Sequence, residues 1–294
     1  MIPLDPETVS DESGIYLIFD RNNSHCGITD RLKAAVGLYY VARLHGLGFH
    51  LIHEAGFDLQ DYLAPNEILW PARRSDLSSF PGDQAHIRYL APYSDFPEFR
   101  RGCQYICEEY IGNNLLEKWD VPNWQRVWRE LFHELFAPAE IVREALADDD
   151  MPERYTAVVI RFINSLGYSE DVEYNEPLAP RIQERLMDAT LEKVAACAGT
   201  SDSPIVVYSD SARFLKRAAA VGYLTTDERG VGNIMNGNVG DYVILRTFVN
   251  LFQIAEAERV YSILHLDGFP ENSLYKTQYP RYAAIIGGKP FIRC

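Results

Sequence analysis

The sequence predicts an α/β protein of two Rossmann-like domains facing each other across a cleft, and three observations carry that prediction. Short apolar runs alternate with stretches of helical periodicity along most of the chain, the order from which parallel sheets with crossover helices are built. The 294 residues exceed a typical single domain, and 47% of them are hydrophobic, enough for two cores. Between two such alternations lies an acidic, proline-bearing segment, Asp148-Asp149-Asp150-Met151-Pro152, which suits an inter-domain linker and gives expected domains at 1–150 and 151–294.

In the first half, residues 15–19 are an apolar run, followed by Asp20-Arg21-Asn22-Asn23-Ser24 and Gly27, which reads as strand, loop and turn. From Thr29 onward Leu32, Ala35, Val36, Tyr39, Tyr40 and Leu44 recur at helical spacing, with Thr29 as a cap and Gly46 and Gly48 as stop signals. A strand resumes at 49–52. Residues 56–125 mix prolines, tyrosines and charges without sustained periodicity; within them 88–90 read as a strand and 104–110 as a helix. Residues 124–136 form an amphipathic helix with Trp124, Val127, Trp128, Leu131, Phe132 and Leu135 on one side. Pro138 is expected to cap the next helix, through Ile141 and Ala145.

The second half repeats the alternation: a strand at 157–163, a long helix at 182–198, a strand at 205–208, helices at 212–220 and 242–256, a strand at 260–264 and a last helix at 279–286. No repeat of 20 to 50 residues and no low-complexity tract is visible. The ligand is expected outside the carboxyl ends of the strands, in the cleft.

A net charge of −14 repels nucleic-acid backbones, and Arg73-Arg74 and Arg100-Arg101 are too small a basic patch to reverse that. No apolar run of about 20 residues predicts an integral membrane segment, and Pro3, Asp5, Pro6 and Glu7 stand where a signal peptide carries basic residues. Cys26, Cys103, Cys107, Cys197 and Cys294 are odd in number and lack zinc-site spacing; Cys103 and Cys107 suit one apolar helix face. A soluble protein in a reducing, cytoplasmic compartment is expected, with no metal. The triplet Asp148-Asp149-Asp150 imitates a metal-binding Asp-x-Asp but falls in the expected linker, and His45, His50 and His53 fall on a helix end and around a strand. The glycine- and asparagine-rich stretch 230–240 lacks the lysine of a P-loop and reads as a loop over the cleft.

Three segments bear on chemistry. In His25-Cys26-Gly27-Ile28-Thr29-Asp30-Arg31-Leu32, a glycine between strand and helix leaves backbone amides for an anion; the alternative is a plain helix start with Asp30 favouring the dipole and Arg31 solvated. In Ala157-Val158-Val159-Ile160-Arg161-Phe162-Ile163-Asn164, a cation interrupts a strand expected to be buried on both faces. A buried arginine needs an anion, and a phosphate suits it, whose charge it neutralises as a nucleotide diphosphate departs; the alternative is that Arg161 pairs with a structural carboxylate or lies at an exposed edge. In Val206-Val207-Tyr208-Ser209-Asp210-Ser211-Ala212-Arg213, Asp210 or Ser211 can cap the following helix.

Together these segments resemble the GDP-fucose-dependent fucosyltransferase superfamily, which includes the nodulation and protein O-fucosyltransferases and has the GT-B fold. Gly27-Ile28-Thr29-Asp30-Arg31-Leu32-Lys33 looks like the family's Gly-x-Gly-Asp/Asn-Arg/Gln-Leu, and Arg161 matches the arginine of its His-x-Arg peptide. Ser209-Asp210-Ser211 is similar to its Ser/Thr-Asp-Ser/Asp turn, and Thr277-Gln278-Tyr279-Pro280-Arg281-Tyr282-Ala283, with Gly287-Gly288-Lys289-Pro290-Phe291, looks like its C-terminal Ser-x-Phe-Ser-x-x-Ala element. The resemblance implies that Arg161 is catalytic at the diphosphate, that Gly27, Asp30 and Arg31 approach the sugar-phosphate, that Asp210 and Ser211 with Glu258 lie near the nucleoside, and that Thr277, Gln278 and Tyr279 close over the phosphates. Val159 stands in place of the family's histidine, Phe162-Ile163-Asn164 replaces a polar run, and Gln278-Tyr279-Pro280 replaces Ser-Phe-Ser.

The implied reaction is metal-independent, inverting transfer of a sugar, fucose from GDP-fucose, to a hydroxyl of a glycan or related acceptor, with no cofactor beyond the donor. Glu54, Asp58 and Asp61 follow an N-terminal strand and are candidates for the base at the acceptor hydroxyl. The departures from the family pattern fit either a transferase using another nucleotide sugar or a catalytically inactive binding or scaffold protein in glycan assembly. A nucleotide-sugar oxidoreductase is disfavoured, because no Gly-x-Gly-x-x-Gly follows the first strand.

Overall fold

The computed structural model describes residues 13–20, 27–54, 56–88, 98–100, 102–108, 113–167, 176–199, 203–225, 240–271 and 273–294. Among them the chain divides into two compact units, one up to Glu140 and the other from Ile141. His25, Cys26, Arg101 and all of the 230–240 stretch except Gly240 lie outside the described residues.

The first unit comprises β1 (Gly14–Phe19), α1 (Ile28–His45), β2 (Gly48–His53), a 3₁₀ turn at Leu59–Asp61, β3 (Leu63–Pro65), α2 (Arg74–Ser78), β4 (Asp83–His86), β5 (Cys103–Cys107), α3 (Leu115–Lys118), α4 (Trp124–Leu135) and β6 (Phe136–Pro138). Its main sheet is parallel in the order β2-β1-β5-β4, and β3 pairs with β6 in an antiparallel ribbon. All six residues of β1 are buried, as an apolar run in the middle of a covered parallel sheet requires. The helix α1 starts after Gly27, not at Thr29, and stops at Gly46, whose φ of 62° lets its N–H reach the carbonyls of Ala42 and Arg43.

Several expectations fail in the middle of this unit. Residues 104–110 do not start a helix: Cys103–Cys107 is β5, buried at every position between β1 and β4, so Cys103 and Cys107 lie in a strand. Five residues buried on both faces, the polar Gln104 among them, carry no periodicity that separates a strand from a helix. Of the strand expected at 88–90, Arg88 is outside any strand and residues 89 and 90 lie outside the described residues; β4 at Asp83–His86 is an exposed edge without an apolar signal. Pro138 ends β6 instead of capping a helix.

The second unit takes in α5 (Glu140–Asp148) from Ile141 onward, then β7 (Thr156–Ile160), α6 (Pro180–Ala198), β8 (Ile205–Ser209), α7 (Ala212–Ala220), β9 (Leu224–Thr225), α8 (Asp241–Glu256), β10 (Arg259–Ile263), α9 (Tyr279–Gly287) and β11 (Phe291–Arg293). Its sheet is wholly parallel, in the order β11-β10-β7-β8-β9. One face buries Val158, Ile160, Val207, Tyr261 and Ile263 against Leu186, Met187, Phe214 and Leu215 of α6 and α7. The helices α8 and α9 touch at Gly287, where an added Cβ would lie 1.8 Å from the Ala255 carbonyl oxygen. The strand expected to run to 163 ends at Ile160, so Arg161 is the first residue beyond it and no longer interrupts it. The acidic triplet lies within this unit, and Asp149 accepts from Arg246 Nη1 at 2.8 Å and Gln253 Nε2 at 2.5 Å, both on α8.

Candidate functional site

In the second sheet the chain steps outward from β7 through β8 to β9, then returns to the other side of β7 as β10. Ligands of such sheets bind outside the carboxyl ends of the strands at that reversal. Arg161 occupies this position. Its side chain is largely covered, with Nε 3.9 Å from Asp210 Oδ2 and the guanidinium 5.0 Å from the Tyr275 ring centroid. The Tyr275 N–H donates to the Arg161 carbonyl at 2.8 Å.

The strand register sets Ile160 beside Ser209, so the residues after β7 and β8 emerge together. Asp210 accepts from two consecutive amides, Phe162 N at 2.8 Å and Ile163 N at 2.7 Å. Burial raises its pKa, against the lowering effect of Arg161 and the two amides. Of the two expected caps Ser211 is the one used: its Oγ accepts from Phe214 N at 3.3 Å at the start of α7.

From Tyr275 the chain runs directly into α9, with Gln278 as N-cap and Pro280 in the first turn. Thr277 Oγ accepts from Tyr279 N at 3.2 Å, and Gln278 Oε1 accepts from Arg281 at 3.5 Å. The Tyr279 hydroxyl is committed to the Thr247 carbonyl at 2.5 Å, and burial pushes its pKa up. The second unit thus sets Arg161 and Asp210, with Ser211 next to it, at adjacent strand ends, and Tyr275, packed on Arg161, leads within a few residues to Thr277, Gln278 and Tyr279 at the start of α9. Tyr275 was not singled out by sequence, because an exposed tyrosine in a loop carries no pattern.

Glu258 is a correction. It precedes β10, and its N–H donates to Tyr155 O at 2.9 Å at the start of β7, so a five-residue strand, about 16 Å long, separates it from Arg161. Its carboxylate pairs with Arg154 at 2.5 Å and accepts from Ser203.

In the first unit Gly27 is the N-cap of α1, and Asp30 pairs with Lys33 at 2.5 Å. Arg31 is buried instead of solvated: it contacts His53 Nε2 at 2.8 Å and lies 5.4 Å from the Phe57 ring centroid. His53, at the end of β2, gave no more sequence signal than any lone histidine. Beside it is a cavity of about 180 Å³ lined by residues that include His53, Glu54, Asp58, Gln60, Trp70 and Arg73. Glu54 accepts from Arg74 at 2.9 Å, and Asp58 Oδ1 accepts from Gln60 N at 3.0 Å; Asp61 is not among the lining residues. Among the described residues no three His, Cys, Asp or Glu side chains are grouped as a metal site requires, and no helix is long and apolar enough to cross a membrane.

The wholly parallel sheet, with its order reversing at β7, is a Rossmann-like architecture. The chain shares its fold with fucosyltransferases of the GT-B type. It is similar to a variant of Arabidopsis thaliana FUT1 in complex with GDP, at 10% identity and a TM-score of 0.52 over 96% of this chain and 70% of that one. It is also similar to the NodZ α-1,6-fucosyltransferase soaked with GDP-fucose, at 13% identity and a TM-score of 0.57 over 93% and 92%. The fucosyltransferase NodZ from Bradyrhizobium aligns at 11% identity and a TM-score of 0.57 over 92% and 93%. No protein-family model matches the sequence, and no curated protein matches it.

Proposed function

We propose that the chain is a glycosyltransferase that moves a sugar, fucose from GDP-fucose, to a hydroxyl of a glycan or related acceptor with inversion and without a required metal. The observation that carries the reading is Arg161 at the reversal point of a Rossmann-like sheet, on a chain with the fold of fucosyltransferases, one described with GDP and one with GDP-fucose. Arg161 neutralises the charge that grows on the departing diphosphate, the work a metal does elsewhere. The first turn of α9 adds its dipole and the Thr277 hydroxyl. The acceptor hydroxyl needs a base. Asp58 suits that role better than Glu54, whose carboxylate is held by Arg74.

The second reading is a binding or scaffold protein that keeps the fold without the activity. Two observations favour it: Val159 replaces the family's histidine, and both Asp210 oxygens already accept backbone amides.

Thermal shifts with GDP, UDP, CMP and ADP, with and without magnesium, separate the two, since a ligand selective for the native state raises its stability. The transferase reading expects stabilisation by GDP, independent of magnesium and lost in Arg161→Ala. A preference for another nucleotide moves the donor, and no shift with any of them favours the scaffold.

A further inference from the structure

We infer that Asp210 is the positioning residue for Arg161: it builds the turn that carries the arginine and sets the direction of its guanidinium. The inference rests on the transferase reading for its kinetic consequence, and on geometry alone for its structural one. Directly after β7 the chain turns sharply, and Ile163 has φ of +49°, a left-handed conformation that a β-branched residue keeps only where its surroundings hold it. Asp210 holds it. One oxygen takes the Phe162 amide at 2.8 Å and the other the Ile163 amide at 2.7 Å, from the neighbouring strand end.

The oxygen that takes the Ile163 amide is also 3.9 Å from Arg161 Nε. A contact through Nε steers the guanidinium without Asp210 occupying the two terminal amino groups that a bidentate phosphate contact uses. The Tyr275 ring covers the guanidinium at 5.0 Å and the Tyr275 N–H fixes the Arg161 carbonyl. With only 8% of the Asp210 side chain exposed and each oxygen already accepting an amide, its carboxylate is built as an internal clamp. The nearby nucleoside contact implied by the family resemblance does not explain the two amides; the clamp does.

Two readouts test this. In protein labelled with ¹⁵N-arginine, the Arg161 Nε–H resonance is assigned by its loss in Arg161→Lys. It is expected to shift in Asp210→Asn, with Asp210→Glu as the charge-preserving variant if the asparagine protein does not melt cooperatively. An unchanged resonance in a folded variant overturns the inference whether or not the protein is an enzyme. For turnover of the nucleotide-sugar donor, Asp210→Asn is expected to lower kcat about a hundredfold with the donor KM little changed, and to cost nothing further when added to Arg161→Ala. Additive losses, or a raised KM in both backgrounds, would show a direct ligand contact and overturn it. An inactive wild type refutes the transferase reading and leaves the resonance test to decide the positioning.

Discussion

Arg31 donates from Nη1 to Nε2 of His53 across 2.8 Å, and this one contact fixes the histidine's protonation. Arginine has no acceptor, so Nε2 must present its lone pair. The ring proton is then on Nδ1, which donates to the Phe57 carbonyl at 3.0 Å. Burial first, and then the Arg31 charge, push the His53 pKa down to about 3.

The pH dependence follows. The unfolded chain binds a proton at a histidine pKa of about 6.5, and the folded chain refuses it until about 3. Stability is therefore full above about pH 6.5 and falls by about 1.4 kcal/mol per pH unit below it. The urea midpoint is expected to drop from pH 7 to pH 5 in the wild type, and to drop less in His53→Gln, whose amide oxygen can still accept from Arg31. Equal slopes in the two proteins would contradict the assignment.

Gly287→Ala places a methyl group 1.8 Å from the Ala255 carbonyl oxygen. Backbone cannot yield as a flexible side chain does, so the cost is expected at or above the upper end of ordinary overpacking, about 3 kcal/mol. Chemical denaturation measures it, and a loss below about 1 kcal/mol would mean that α8 and α9 do not meet this closely.

Asp149→Ala leaves Arg246, whose side chain is 7% exposed, with a charge that has lost its carboxylate partner. The expected loss is about 3 kcal/mol. Asp149→Asn is expected to cost less because an acceptor oxygen remains. If both variants melt with the wild type, the Asp149 contacts with α8 do not hold the segment in place.

Cys197 Sγ lies 3.8 Å from Cys294 Sγ, and burial, then Cys294, push the Cys197 thiol up to about 12. Thiolate is the reactive form. Iodoacetamide at pH 8 is therefore expected to modify the Cys197 peptide far more slowly in native than in unfolded protein, as peptide mass spectrometry measures. Equal rates would contradict the burial.

Patterned elements were legible in the sequence and single contacts were not. The apolar runs that became β1 and β8, the helical spacing of α1 and the amphipathic repeat of α4 announce themselves because burial dictates residue type. Asp83–His86 is an exposed polar edge, and Cys103–Cys107 is short and buried at every position, Gln104 included, so that it shows no period. The adjacency of two candidate residues was legible, since Arg161 and Asp210 do fall at neighbouring strand ends. Their roles were not, because the two amides that claim Asp210 lie 47 and 48 residues away. Glu258 was placed near the nucleoside by motif order alone, which does not say at which end of a strand a residue sits.

The most direct measurement is release of GDP from GDP-fucose by the purified protein and by Arg161→Ala. The account predicts turnover by the wild type that falls by about 10²–10³-fold in the variant, with both proteins melting alike. Equal turnover in the two would contradict the role given to Arg161, and absence of turnover together with absence of any GDP-dependent stabilisation would contradict the transferase itself.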